Sequence, residues 1–113
     1  MTGREWDALR IVRWMHRQEE TDLAAWLAED FVYDDGISVE GREAYLMAHR
    51  ISGATVDLAL IELLCDREVT AIMFGGTDTV TLLRRRYCEI ITWRGRQVVR
   101  VTQCSQIVPP RRP

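Results

Sequence analysis

Long apolar runs are missing from this 113-residue chain. No stretch approaches the roughly eighteen consecutive apolar residues that a membrane-spanning helix needs, so no membrane span is expected. An excess of one charge is missing too. Seventeen acidic against fifteen basic residues give a formal net charge of -2, which is too balanced for a nucleic-acid footprint. Cysteine is scarce: Cys65, Cys88 and Cys104 cannot all pair within the chain, and each sits in an apolar, strand-like run. They read as reduced, buried thiols of a cytoplasmic protein. Histidine is scarcer still. His16 and His49 are not spaced with cysteines or carboxylates as a metal site requires, so neither a metal nor a cofactor is expected. The opening Met1-Thr2-Gly3-Arg4-Glu5-Trp6-Asp7 lacks the apolar core of a signal peptide. There is no internal repeat, no linker and no serine in a nucleophile-elbow context, and Gly75-Gly76 lacks the pattern of a phosphate loop.

What is present suits one soluble domain. The chain is 47% apolar and 28% charged, ordinary values for a globular protein, and its length lets a single core bury about two-thirds of the chain surface. We assign residues 1–108 to the domain and residues 109–113, Pro-Pro-Arg-Arg-Pro, to a loose tail. Ala8, Ile11, Val12 and Met15 form one apolar stripe, opposite Arg10, Arg13, Arg17 and Glu20, which predicts a helix over 5–19. Thr21 or Asp22 suits the N-cap of a short second helix over 23–28. Phe31 to Asp35 reads as a strand, and Gly41 precedes a third helix that ends near Arg50. Strand patterns follow at 56–64, at 69–74 with a break at Gly75-Gly76, at 79–93 and at 97–108. Helices first and a strand meander after them predict an α+β layer design.

This order resembles the cone-shaped α+β barrel superfamily that includes nuclear transport factor two, ketosteroid isomerase and the SnoaL-like polyketide cyclases. Asp22-Leu23 with Trp26-Leu27-Ala28-Glu29-Asp30 resembles the passage from first to second helix. Phe31-Val32-Tyr33-Asp34-Asp35 with Gly41-Arg42-Glu43-Ala44 resembles the first strand and the start of the third helix. Tyr87-Cys88-Glu89 through Arg94-Gly95-Arg96 and Val98-Val99-Arg100 resembles the final hairpin. The resemblance covers residues 6–107 or so and implies a curved, mostly antiparallel sheet wrapped around N-terminal helices, with a central pocket for a small hydrophobic ligand. It also implies a homodimer formed through the exposed sheet face. Members of such a fold include isomerases, cyclases, dehydratases, hydrolases and proteins without chemistry, so the fold does not name the function.

Two carboxylates are the candidate acid and base. Phe31, Tyr33 and Asp35 share one strand face, so an inward Phe31 carries Asp35 inward too. An apolar setting would raise its pKa toward the range of proton transfer, and its place resembles that of the proton-shuttling Asp of ketosteroid isomerase. The competing reading makes Asp34-Asp35-Gly36 a solvated turn. Glu89 depends on the hairpin. A three-residue loop Arg94-Gly95-Arg96 sets it opposite Val101, on a face with Tyr87, Val99, Val101 and Gln103. A two-residue loop Arg94-Gly95 sets it opposite Arg100 as a surface ion pair. Glycine or asparagine at the first turn position is the favoured chemistry, which weighs against Arg94 there.

Trp14 falls where the isomerase carries an oxyanion-hole tyrosine; indole can donate a hydrogen bond but is no acid. Trp14, Tyr33, Tyr45 and Gln103 are therefore expected to line a pocket rather than to react. His16 is expected on the charged side of the first helix, and His49 at the surface unless it faces the cavity as a proton carrier. Arg84-Arg85-Arg86 alternates across a strand and reads as a solvated rim.

Overall fold

A computed structural model describes residues 2–16, 23–51, 56–78 and 81–109. The first helix, α1 (Gly3–Met15), starts earlier than its stripe alone suggests because Thr2 caps it. The Thr2 hydroxyl accepts from the Glu5 amide, and the Glu5 carboxylate accepts from the Thr2 amide in return. Its buried residues are Ala8, Ile11, Val12 and Met15, the predicted stripe. Residues 17–19 of the predicted helix and the proposed caps Thr21 and Asp22 lie outside the described residues. The second helix, α2 (Leu23–Trp26), is a single turn, because Leu27 and Ala28 already enter β1 (Leu27–Asp34) and are buried there.

A strand absent from the sequence reading follows. Gly36 at φ +85 reverses the chain, and β2 (Val39–Gly41) pairs antiparallel with β1, Tyr33 opposite Glu40. Then come α3 (Arg42–Ile51), β3 (Val56–Cys65), β4 (Val69–Asp78), β5 (Arg84–Arg94) and β6 (Gln97–Ile107). The predicted break at Gly75-Gly76 does not occur. Both glycines stay in the ladder, Gly75 opposite Ala59 on one side and Arg86 on the other. The strand predicted from residue 79 starts instead at Arg84; residues 79 and 80 lie outside the described residues, and Leu82 just before the strand sits at φ +61.

The six strands run in the order β2-β1-β6-β5-β4-β3. All neighbours are antiparallel except β1 and β6, which are parallel. The sheet is therefore mixed and open, with β2 and β3 as its edges, and it does not close into a barrel. Extra residues in the ladder at Ile61 and Val99 add curvature. On the inner face Ile72, Phe74, Ile91, Trp93, Val98 and Val101 join the α1 stripe, Leu27, Phe31 and Tyr45 in one core. Inside it the Trp93 Nε1–H donates to the buried Thr70 hydroxyl at 3.1 Å. No helix among the described residues is long and apolar enough to cross a membrane. The expectation of three buried thiols fails: Cys65 and Cys104 are exposed and Cys88 is half-buried.

The β5–β6 hairpin adopts neither register considered from the sequence. Its two-residue loop is Gly95-Arg96, with Arg94 opposite Gln97 and Gly95 at φ +61. That puts the glycine at the first central position, where a left-handed conformation is tolerated. Trp93 faces Val98, and Val99 is then an extra residue, so Thr92 faces Arg100, Ile91 faces Val101 and Glu89 faces Gln103. Glu89 is thus opposite neither Val101 nor Arg100. Val98, not Val99, takes the inward place beside Trp93. Without the bulge, the step of two along β6 would send Arg100 and Thr102 into the core.

Candidate functional site

The inner face of β5 buries Tyr87, Glu89, Ile91 and Trp93. Three of these are apolar or aromatic; Glu89 is a carboxylate with 0% exposure. The bulge at Val99 brings Gln103 opposite it, and the Gln103 Nε2–H donates to Glu89 Oε1 at 2.7 Å. His16 supplies a second contact, its Nε2 lying 3.0 Å from the same oxygen. With Glu89 ionised, Nε2 carries the proton and donates. The other carboxylate oxygen, Oε2, is fully buried and receives no hydrogen bond from any described residue.

His16 is the C-cap of α1, and its amide bonds back to the Val12 carbonyl at 3.1 Å. Its ring meets Phe74 edge-on at 5.0 Å and Tyr87 at 5.2 Å, and those two rings stack on each other at 5.0 Å. The sequence reading put His16 on the charged side; in fact its side chain is only 12% exposed. The spacing that could have located it is Ala8, Val12, His16, three positions four apart on one helical face. The side chain of His49 lies outside the described residues.

Tyr33 and Tyr45 stack at 4.8 Å, and Tyr45 also packs on Phe31 at 5.4 Å. Burial, with the negative charge of Glu89 added, pushes both phenols well above the ordinary tyrosine range. They remain protonated donors in the field of the buried carboxylate. The Tyr87 phenol is also raised, chiefly by burial, with Arg85 opposing and Asp78 and Glu89 adding to it. Trp14 stands apart from this group: half-buried, it packs edge-on against Trp26 of α2 at 5.6 Å.

Asp35 does not have the environment expected of it. It lies just past β1, and its carboxylate accepts the backbone amides of Ser38 at 2.8 Å and Ile37 at 2.9 Å. Those bonds, Ser38 first, hold its pKa below the usual carboxylate range rather than raising it. The physical reason is the turn that Gly36 makes, which supplies amides to the nearest acceptor. Asp34 pairs with Arg100 at 3.0 Å, the arginine that the alternative hairpin had assigned to Glu89. Of the predicted residues, then, Glu89 and Gln103 meet, and Tyr33 and Tyr45 lie within reach of the Glu89 charge. Asp35 and Trp14 make their contacts elsewhere.

A cavity of about 90 Å³ lies between α1 and the strands β3 and β4, bounded by Val12, Leu58, Ile72 and Phe74 among others. Ile72 is the register partner of Glu89, and Phe74 that of Tyr87, so the cavity ends one side chain away from the His16–Glu89 contact. A larger cleft of about 320 Å³ lies by Gly75, Gly76 and Arg84–Arg86. Neither is lined by Glu89. Among the described residues no group of three or more His, Cys, Asp and Glu side chains could hold a metal ion.

No family model matches this sequence, and no curated protein matches it either. Solved structures do. A candidate ketosteroid isomerase from Kribbella flavida superposes with a TM-score of 0.78 at 21% identity, over 96% of this chain and 82% of the other. An NTF2-like protein of unknown function from Cytophaga hutchinsonii gives 0.71 at 10% identity, over 96% and 92%. The fold is the nuclear transport factor two-like, or SnoaL-like, cone. An LEH-like epoxide hydrolase from M. tuberculosis shares this NTF2-like cone with a TM-score of 0.68 at 15% identity, over 91% and 85%. The superpositions establish the shared architecture, and identities this low leave the chemistry to be argued from the side chains.

Proposed function

We propose that this NTF2-like chain binds a small, largely apolar molecule beside Glu89 and moves a proton on it. One observation carries the reading: a fully buried carboxylate whose Oε1 is held by two partners and whose Oε2 has none among the described residues. An unmade bond at a buried polar atom costs about 1–3 kcal/mol, so its persistence calls for a role. A ligand hydroxyl or amide that donates to Oε2 would complete the set. Oε2 would take the proton as general base, while Gln103 and His16 fix the carboxylate through Oε1. His16, in contact with Glu89, would exchange the proton onward, and the protonated Tyr33 and Tyr45 would orient the ligand by donating to it. Isomerisation, cyclisation, dehydration and epoxide opening all share this need for a proton removed and returned. Asp35, committed to its turn, has no part in the scheme.

The size of the neighbouring cavity favours a second reading, a binding module without chemistry. At about 90 Å³ it is smaller than the roughly 300–1,000 Å³ of ordinary ligand sites, so Phe74 would have to move for a substrate to reach Oε2. The test is a thermal-shift screen of flat, mostly apolar molecules that carry one hydroxyl or amide donor, run on the wild type and on Glu89→Gln. Compounds that stabilise the wild type and lose that effect in Glu89→Gln support the proton-transfer site. Compounds that stabilise both proteins equally support the plain module.

A further inference from the structure

Cys88 and Cys104 stand directly opposite each other across β5 and β6, and both are free thiols. Opposed residues of an antiparallel pair project from the same face with Cα atoms about 4.5–5.5 Å apart, inside the span of about 4.4–6.8 Å that a disulfide bridges. The adjacent register pair is Glu89 and Gln103, which points inward, so the two thiols sit on the back of the site, on the outer face of the sheet. Cys104 is exposed and Cys88 half-buried. The third thiol, Cys65, faces Thr70 and lies 2.9 Å from its hydroxyl, which leaves it outside this arrangement.

We propose that Cys88 and Cys104 form a redox-active dithiol that closes to a cross-strand disulfide by exchange with a small-molecule disulfide of the glutathione type. The exposed Cys104 thiolate attacks one sulfur of that disulfide. The sulfur–sulfur bond breaks, one thiolate leaves with the electron pair and takes up a proton, and Cys104 carries a mixed disulfide. The Cys88 thiolate then attacks the Cys104 sulfur and displaces the second small thiol. The protein gives up two protons and two electrons, and the small disulfide is reduced to two thiols. A reducing dithiol reverses both steps. The closed bond ties β5 to β6 directly behind the Glu89–Gln103 pair, so oxidation fixes the register on which that pair depends.

Oxidised glutathione is the probe, added to the folded protein, with thiols counted after denaturation and alkylation. The count should fall from three free thiols to one, the intact mass should drop by two hydrogens, and a peptide map should join Cys88 to Cys104. Cys65→Ser should close in the same way. Cys104→Ser should not close. A glutathione adduct that persists on Cys104, a disulfide between two chains, a bond that includes Cys65, or three thiols still free would each overturn the assignment.

Discussion

Replacing Glu89 with glutamine separates a functional carboxylate from a structural one. The side chain keeps its shape, and its amide oxygen can still accept from Gln103 and His16 in place of Oε1. Two charge-assisted bonds become neutral, at a loss of about 1 kcal/mol each. Against this, the wild type holds a carboxylate at 0% exposure with one oxygen unpartnered, and the desolvation of a buried ion amounts to several kcal/mol. The balance favours Glu89→Gln by between about 0 and 2 kcal/mol, the sign also found when buried ion pairs are replaced by well-packed hydrophobic residues of similar volume. In a domain of this size about 1 kcal/mol moves the melting temperature by roughly 4 °C, so the variant should melt at the same temperature or as much as about 8 °C higher. Calorimetry and chemical denaturation should agree on the sign, and any proton transfer on a bound molecule should be lost. A fall in stability of more than about 1 kcal/mol would refute the reasoning, because Glu89 would then be a structural keystone whose charge the fold requires.

Other perturbations probe the parts around it. At low pH, Asp35 contributes stability that is present above the ordinary carboxylate pKa of about 3.9 and lost as pH falls through its lowered folded value. Asp35→Asn should therefore melt below the wild type at neutral pH, and the gap in melting temperature should close as the pH is brought toward 2; a constant gap would contradict the turn assignment. At high pH the sign reverses. Tyr33 and Tyr45 have raised folded pKa values, so their contribution is whole below about 10 and declines as pH rises past that value. Alkaline melts of Tyr45→Phe should show a shallower decline than the wild type. Gly95→Ala, at φ +61, should cost about 1–2 kcal/mol in chemical denaturation, and a neutral result would mean that the hairpin turns elsewhere. Deletion of Val99 removes the extra residue and leaves Val98 and Val101 inward with Arg100 outward, so the protein should keep a cooperative transition, and loss of that transition would contradict the bulge assignment.

Sequence and structure agree where the pattern is long and periodic. The α1 stripe and the strand meander are legible, because a full face of side chains repeats at 3.6 or 2 residues. Short or compensated features are not. β2 is three residues long and offers no period to detect. The parallel pairing of β1 with β6 joins segments some seventy residues apart, with no local signal. The hairpin reading failed on one residue: a Gly95-Arg96 turn and a bulge at Val99 each shift the register, and together they leave Glu89 inward. Asp35 was misjudged because strand alternation was carried one residue too far, past the end of β1 and into a turn. His16 was missed because a polar residue at a helix end was assigned to solvent, although it lies four positions from buried Val12.

The most direct measurement is a crystallographic fragment screen against the wild-type protein, read at Glu89. A bound fragment with an oxygen or nitrogen donor about 3 Å from Oε2, and with Oε1 still held by Gln103 and His16, is the predicted result. Fragments found only in the cleft by Arg84–Arg86, with Phe74 and Tyr87 closed over an unliganded Glu89, would contradict the account.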